Sequence, residues 1–102
     1  MDPWNFEDVK RFLRERFPLR NYRLYIRLQE PACGEDGYTS VSRSERTITI
    51  LVNPRQSLSN RIHTLLHEYA HALHLDRIEW HGRQWSRLYA ECYTAWEKLS
   101  GE

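Results

Sequence analysis

Between Ser57 and Leu75 the apolar residues Ile62, Leu65, Leu66, Tyr69, Ala70 and Leu73 recur three and four positions apart, the spacing that lines one face of an α-helix. Asn53-Pro54 ends whatever precedes this run, and Ser57 or Ser59 offers a side-chain oxygen to the first backbone N–H groups of the helix. A helix with so broad an apolar face is stable only if other elements cover that face. The rest of the chain therefore has to supply the cover.

Its patterning shows how. Phe6, Val9, Phe12, Leu13 and Phe17 predict a first helix, capped by Asp2 or Asn5 and closed by Pro18. Tyr22, Leu24, Ile26 and Leu28 alternate along a strand with Tyr25 on its other face, and Pro31, Gly34 and Asp36-Gly37 mark a turn after it. Tyr38 to Arg43 and Thr47 to Val52 read as two arms of a hairpin joined by Ser44-Glu45-Arg46. A last helix from about Gly82 to Leu99 presents Trp85, Leu88, Tyr89, Cys92, Tyr93 and Trp96. Helix, strand, hairpin, helix, helix is the order of an α+β domain in which helices cover a small sheet. The 102 residues make one such domain, spanning 1–102.

Charge and cysteine usage narrow the partners. Fifteen Lys+Arg against 14 Asp+Glu leave a formal charge of +1, which argues against nucleic acid or anionic lipid as a partner of the whole surface; any nucleic-acid contact would have to be local. No apolar run approaches the roughly 18 residues of a membrane span, and the start of the chain is acidic and helix-like, so a cytoplasmic protein with no membrane partner is expected. Cys33 and Cys92 lie far apart with no C-x-x-C pair, which excludes a zinc ribbon and leaves one disulfide open. The pattern says nothing of oligomeric state.

All five histidines fall between His63 and His81. Within that span His67-Glu68-Tyr69-Ala70-His71 is an H-E-x-x-H pattern on the long helix, where residues four apart lie one above the other and two imidazoles reach one ion. Glu68, next to the first of them, is placed to take a proton from a metal-activated water as general base. Zn2+ is the metal such a donor set favours. A catalytic zinc generally takes three protein ligands, and the residues leave the third open. His81, in Trp80-His81-Gly82-Arg83-Gln84-Trp85, stands first because the chain reverses there; Glu91 is the rival if the last two helices run antiparallel, and His74 shares the histidine stripe. His63 reads as a surface or supporting residue. Asp76 is either an orienting partner for a ligand imidazole or a turn former. Among the tyrosines, Tyr89 is the candidate oxyanion stabiliser, with Tyr38 of the hairpin as an alternative. Cys92 reads as a small buried side chain.

Three segments together resemble the SprT-like zinc metallopeptidases, a branch of the zincins with short phage and bacterial members: His67-Glu68-Tyr69-Ala70-His71-Ala72-Leu73, then His81-Gly82-Arg83-Gln84-Trp85, then Tyr89-Ala90-Glu91-Cys92-Tyr93-Thr94-Ala95-Trp96. The resemblance implies zinc held by His67, His71 and His81, with Glu68 as general base. It also implies a minimal zincin-like fold, a small mixed sheet with an N-terminal helix, an active-site helix and a C-terminal helix. In that fold Thr47, Ile48, Thr49, Ile50, Leu51 and Val52 would be the edge strand that binds an extended protein or peptide substrate. The implied activity is that of a zinc-dependent endopeptidase. Very small gluzincins would use Glu91 instead, but the acidic residue expected four positions later is Ala95. The rival functions are a latent or weakly active metal-binding module and a zinc hydrolase acting on a non-peptide amide.

Overall fold

The structure is a computed structural model and describes residues 5–77 and 84–100, with the side chains of 84–86, 88, 89, 99 and 100 outside the description. His81 and Gly82, and the side chains of Trp85, Leu88 and Tyr89, thus lie outside the described residues. The chain folds as a small α+β domain, with helices α1 (Phe6–Arg16), α2 (Leu58–Asp76) and α3 (Gln84–Ser100) flanking strands β1 (Arg23–Leu28), β2 (Gly37–Ser42) and β3 (Thr47–Val52).

Local chemistry sets most of the boundaries. Asn5 opens α1 through a capping box, its side chain accepting the Asp8 N–H at 2.8 Å while the Asp8 carboxylate takes the Asn5 N–H at 3.3 Å. Ser57 opens α2 by accepting the Asn60 N–H at 3.2 Å. Phe6, Val9 and Leu13 of α1 and Ile62, Leu65, Leu66, Tyr69, Ala70 and Leu73 of α2 are buried, as their spacing requires. They close over Leu24, Ile26, Ile48, Ile50 and Val52 of the sheet. Tyr69 ties the two helices together at the same place, its hydroxyl donating to the Phe17 carbonyl at 2.8 Å and the Leu13 carbonyl at 3.2 Å. Burial pushes this phenol's pKa well up and keeps it protonated. Leu28, expected on the core face, is exposed at the open end of β1.

The sheet is mixed, in the order β1-β3-β2. β2 and β3 form the expected antiparallel hairpin, in register Gly37↔Val52 to Ser42↔Thr47. β1 pairs in parallel on the other side of β3, from Arg23↔Thr47 to Leu28↔Val52. The edge-strand reading of Thr47, Ile48, Thr49, Ile50, Leu51 and Val52 is therefore corrected: β3 is the central strand, hydrogen-bonded along both sides. Its composition fits that position, since Ile48, Ile50 and Val52 fill the core and Thr47, Thr49 and Leu51 on the other face are half-buried. The segment 29–36 makes the arrangement possible by carrying the chain across the end of β3. It is held there by the Gln29 N–H on the Val52 carbonyl at 3.0 Å and the Asn53 N–H on the Asp36 carbonyl at 2.8 Å. Among the described residues, β2 and not β3 offers an unpaired edge on the α2 side of the sheet.

Asp76, at the end of α2, is fully buried. Its carboxylate accepts the backbone N–H groups of Arg20 at 2.9 Å, Asn21 at 2.7 Å and Tyr22 at 3.0 Å, while its own carbonyl accepts the Asn21 side-chain amide at 2.6 Å. Of the two roles open in the sequence, the turn former is the one observed. The carboxylate holds the entry to β1, and its hydrogen bonds among the described residues go to backbone N–H groups and not to an imidazole.

Cys33 is exposed and Cys92 buried, and both are free thiols. Burial, with a smaller contribution from Glu91, pushes the Cys92 thiol up to about 12, which makes it an inert packing residue. Among the described residues, no helix is long and apolar enough to cross a membrane.

Candidate metal centre

His63, His67, His71 and His74 form a stripe along α2, all half-buried at the surface of the helix. The rings of His67 and His71 meet edge to face, with centroids 5.0 Å apart and planes at 74°. Two imidazoles bound through one nitrogen each, about 2.0–2.1 Å from a shared tetrahedral ion, have centroids about 5 Å apart, so the spacing suits a common ligand role. Desolvation lowers the pKa of His71 from its ordinary value, opposed by Glu68 and reinforced by His67 and His74. The downward shift favours the neutral imidazole, the form that coordinates a metal.

Glu68 lies on the neighbouring face of the same helix turn, buried under β2. Thr39 donates its hydroxyl to Glu68 Oε1 at 2.6 Å and lies 3.3 Å from the Glu68 carbonyl oxygen. Two clefts meet at this carboxylate and share Gly37 and Glu68 in their walls. One, of about 350 Å³, runs past His63 and His67; the other, of about 300 Å³, runs past His71 and His74 with Tyr38 and Thr39 on its far side. The strand flanking both is β2. Tyr38 stands half-exposed at that wall, so it remains at the site as the hairpin's alternative to Tyr89, whose side chain is outside the described residues.

Among the described residues, no third His, Cys, Asp or Glu joins His67 and His71 in a metal-binding group. The Glu91 alternative is thereby corrected. That carboxylate is exposed, 3.6 Å from the guanidinium of Arg87, and faces a groove whose other wall is Arg16 and Phe17 at the end of α1. His74 lines the cleft beside His71, with its buried Nδ1 lacking a hydrogen-bond partner among the described residues, but it is not grouped with His67 and His71 at ligating distance. His63 stacks obliquely on Tyr93 of α3, with centroids 5.4 Å apart, which makes it part of the packing between α2 and α3.

Two residues of the site were not expected there: Gly37, which the sequence marks only as part of a turn and which in fact opens β2, and Thr39. Only the pose of β2 across α2 brings them to Glu68. A Cβ on Gly37 would stand 2.5 Å from Thr64 Cγ2, 3.0 Å from Glu68 Cγ and 3.3 Å from Glu68 Oε2, so glycine is what lets the strand lie this close to the helix. Gly37→Ala is expected to destabilise the domain by about 1–3 kcal/mol through overpacking. Adding Thr64→Ser, which removes the opposing methyl, should recover part of that loss in urea unfolding curves.

No family model, no curated protein and no solved structure matches this chain.

Proposed function

We propose that the domain is a zinc-dependent endopeptidase, with His67, His71 and His81 as metal ligands and Glu68 as general base. The observation that carries the reading is the pairing of His67 and His71 at ligand spacing with a buried carboxylate between two clefts on the same helix turn. His81 completes the set in this reading because no described side chain does. Zinc, when bound, would supply Lewis acidity toward a water molecule and a carbonyl oxygen.

The chain's own residues supply the remaining chemistry. Glu68, with Oε1 engaged by Thr39, has Oε2 to take a proton from the attacking water as the new C–O bond forms. It then returns that proton to the leaving amine as the C–N bond breaks. The open edge of β2 takes over the role first read into β3, pairing with an extended polypeptide through main-chain hydrogen bonds. Protein or peptide is accordingly the substrate class proposed, in place of a non-peptide amide, because a strand edge recognises a peptide backbone.

The test has two arms. A crystal of zinc-loaded protein should show anomalous scattering at the zinc edge between His67 and His71, with the His81 imidazole as third ligand. Cleavage of an unfolded protein should stop with chelator and return with zinc. An ion elsewhere, or cleavage indifferent to chelator, defeats the proposal. Zinc at the site without cleavage would leave the latent metal-binding module, which the burial of Glu68 under β2 favours as second reading.

A further inference from the structure

The position of Thr39 in β2 gives it two directions of contact. The Asn53 N–H bonds the Asp36 carbonyl at 2.8 Å, and the antiparallel register continues from there as Gly37↔Val52, Tyr38↔Leu51 and Thr39↔Ile50. In an antiparallel ladder, hydrogen-bonded and non-hydrogen-bonded pairs alternate. Tyr38 and Ser40, two and four residues beyond Asp36, therefore turn their main-chain groups toward β3. Gly37, Thr39 and Val41 turn theirs toward the open edge. The side chain of Thr39 meanwhile points at α2, where its hydroxyl meets Glu68 Oε1 at 2.6 Å, a length typical of a hydroxyl donating to a carboxylate.

We infer that Thr39 is the positioning residue of the site, fixing the Glu68 carboxylate with its side chain while its main chain holds the substrate backbone at the β2 edge. This rests on the peptidase reading above. The consequence is geometric. A peptide paired with the N–H and C=O of Thr39 is set in register by the same residue that orients the base, so the scissile bond and the proton acceptor share one reference point. The close approach permitted at Gly37 keeps β2 near enough to α2 for one threonine to serve both. Orientation of this kind acts on turnover more than on binding, since the substrate's main-chain contacts do not involve the hydroxyl.

The experiment uses the full chain loaded with zinc and an unfolded protein substrate. Thr39→Val, which keeps the β-branched shape and removes the hydroxyl, is expected to lower kcat by about 10- to 100-fold at unchanged KM and unchanged zinc content. Thr39→Ser, which restores the hydroxyl, should recover most of the loss. As a readout independent of turnover, the carboxyl ¹³C resonance of Glu68 at fixed pH should shift in Thr39→Val and return in Thr39→Ser, with thermal melts confirming that both variants fold. Wild-type kcat in Thr39→Val, a change confined to KM, or an unmoved carboxyl resonance would overturn the inference while leaving the peptidase reading intact. Failure of zinc-loaded wild-type protein to cleave would instead remove the peptidase reading and the kinetic role of Thr39 with it, whatever the resonance shows.

Discussion

Zinc-loaded Glu68→Gln protein is expected to retain its metal and lose turnover by about 10²- to 10⁴-fold, the range removed with a general base. The substitution preserves size and leaves an amide oxygen that can still accept the Thr39 hydroxyl, now observed at 2.6 Å from Oε1. The fold around it should survive. What is lost is the ability to take a proton, because a neutral amide has no basic lone pair at neutral pH. In the proposed reading Glu68 acts as base and does not ligate the ion, so zinc stoichiometry measured by atomic absorption should match the parent. Loss of zinc together with activity would show that Glu68 ligates the ion, and retention of both would show that the base lies elsewhere.

The second large effect concerns stability. Asp76→Ala removes a fully buried carboxylate that accepts three consecutive backbone N–H groups, from Arg20, Asn21 and Tyr22. Each orphaned donor costs about 1–3 kcal/mol where solvent cannot replace the lost oxygen. The donors are only partly buried, so water makes up some of the difference, and a total of about 3–5 kcal/mol is expected. For a domain of this size that corresponds to a drop in Tm of at least about 12 °C, readable by circular dichroism. Asp76→Asn should fall between the two proteins, because one amide oxygen can still serve Asn21 and Tyr22 while the amide nitrogen faces the Arg20 N–H. A melting curve of Asp76→Ala superimposable on the parent's would mean that the turn at 20–22 is held by something other than this carboxylate.

Much of the architecture was legible because its signals are local. The cap read at Asp2 or Asn5, the cap read at Ser57 or Ser59 and the apolar spacing of α2 act within a few residues, and the caps observed are Asn5 and Ser57. The hairpin was legible for the same reason. The placement of β3 was not, because alternation in Thr47 to Val52 describes two faces of a strand and carries no information about its two edges. Which edges are filled is decided by β1, far away in sequence, and by the passage of 29–36 across the strand end. The site divides in the same way. His67, Glu68 and His71 announce themselves on one helix turn, whereas Thr39 and Gly37 belong to the site only through tertiary packing. The exclusion of Glu91 likewise required seeing that its face of α3 looks toward Arg16 and Phe17.

The parallel pairing of β1 with β3, Arg23 opposite Thr47, has a consequence for how the chain acquires its structure. On a ribosome, β1 emerges before the strand it must pair with, and it cannot be zipped by a tight turn as β2 and β3 are. Local closure favours early formation of the hairpin, and β1 is expected to dock later, when the end of α2 presents Asp76 to the segment 20–22. Contacts formed after the rate-limiting barrier govern how fast a protein falls apart more than how fast it assembles. On that order of events the Asp76 clasp is expected to slow unfolding, so Asp76→Ala should raise the unfolding rate more than it lowers the folding rate.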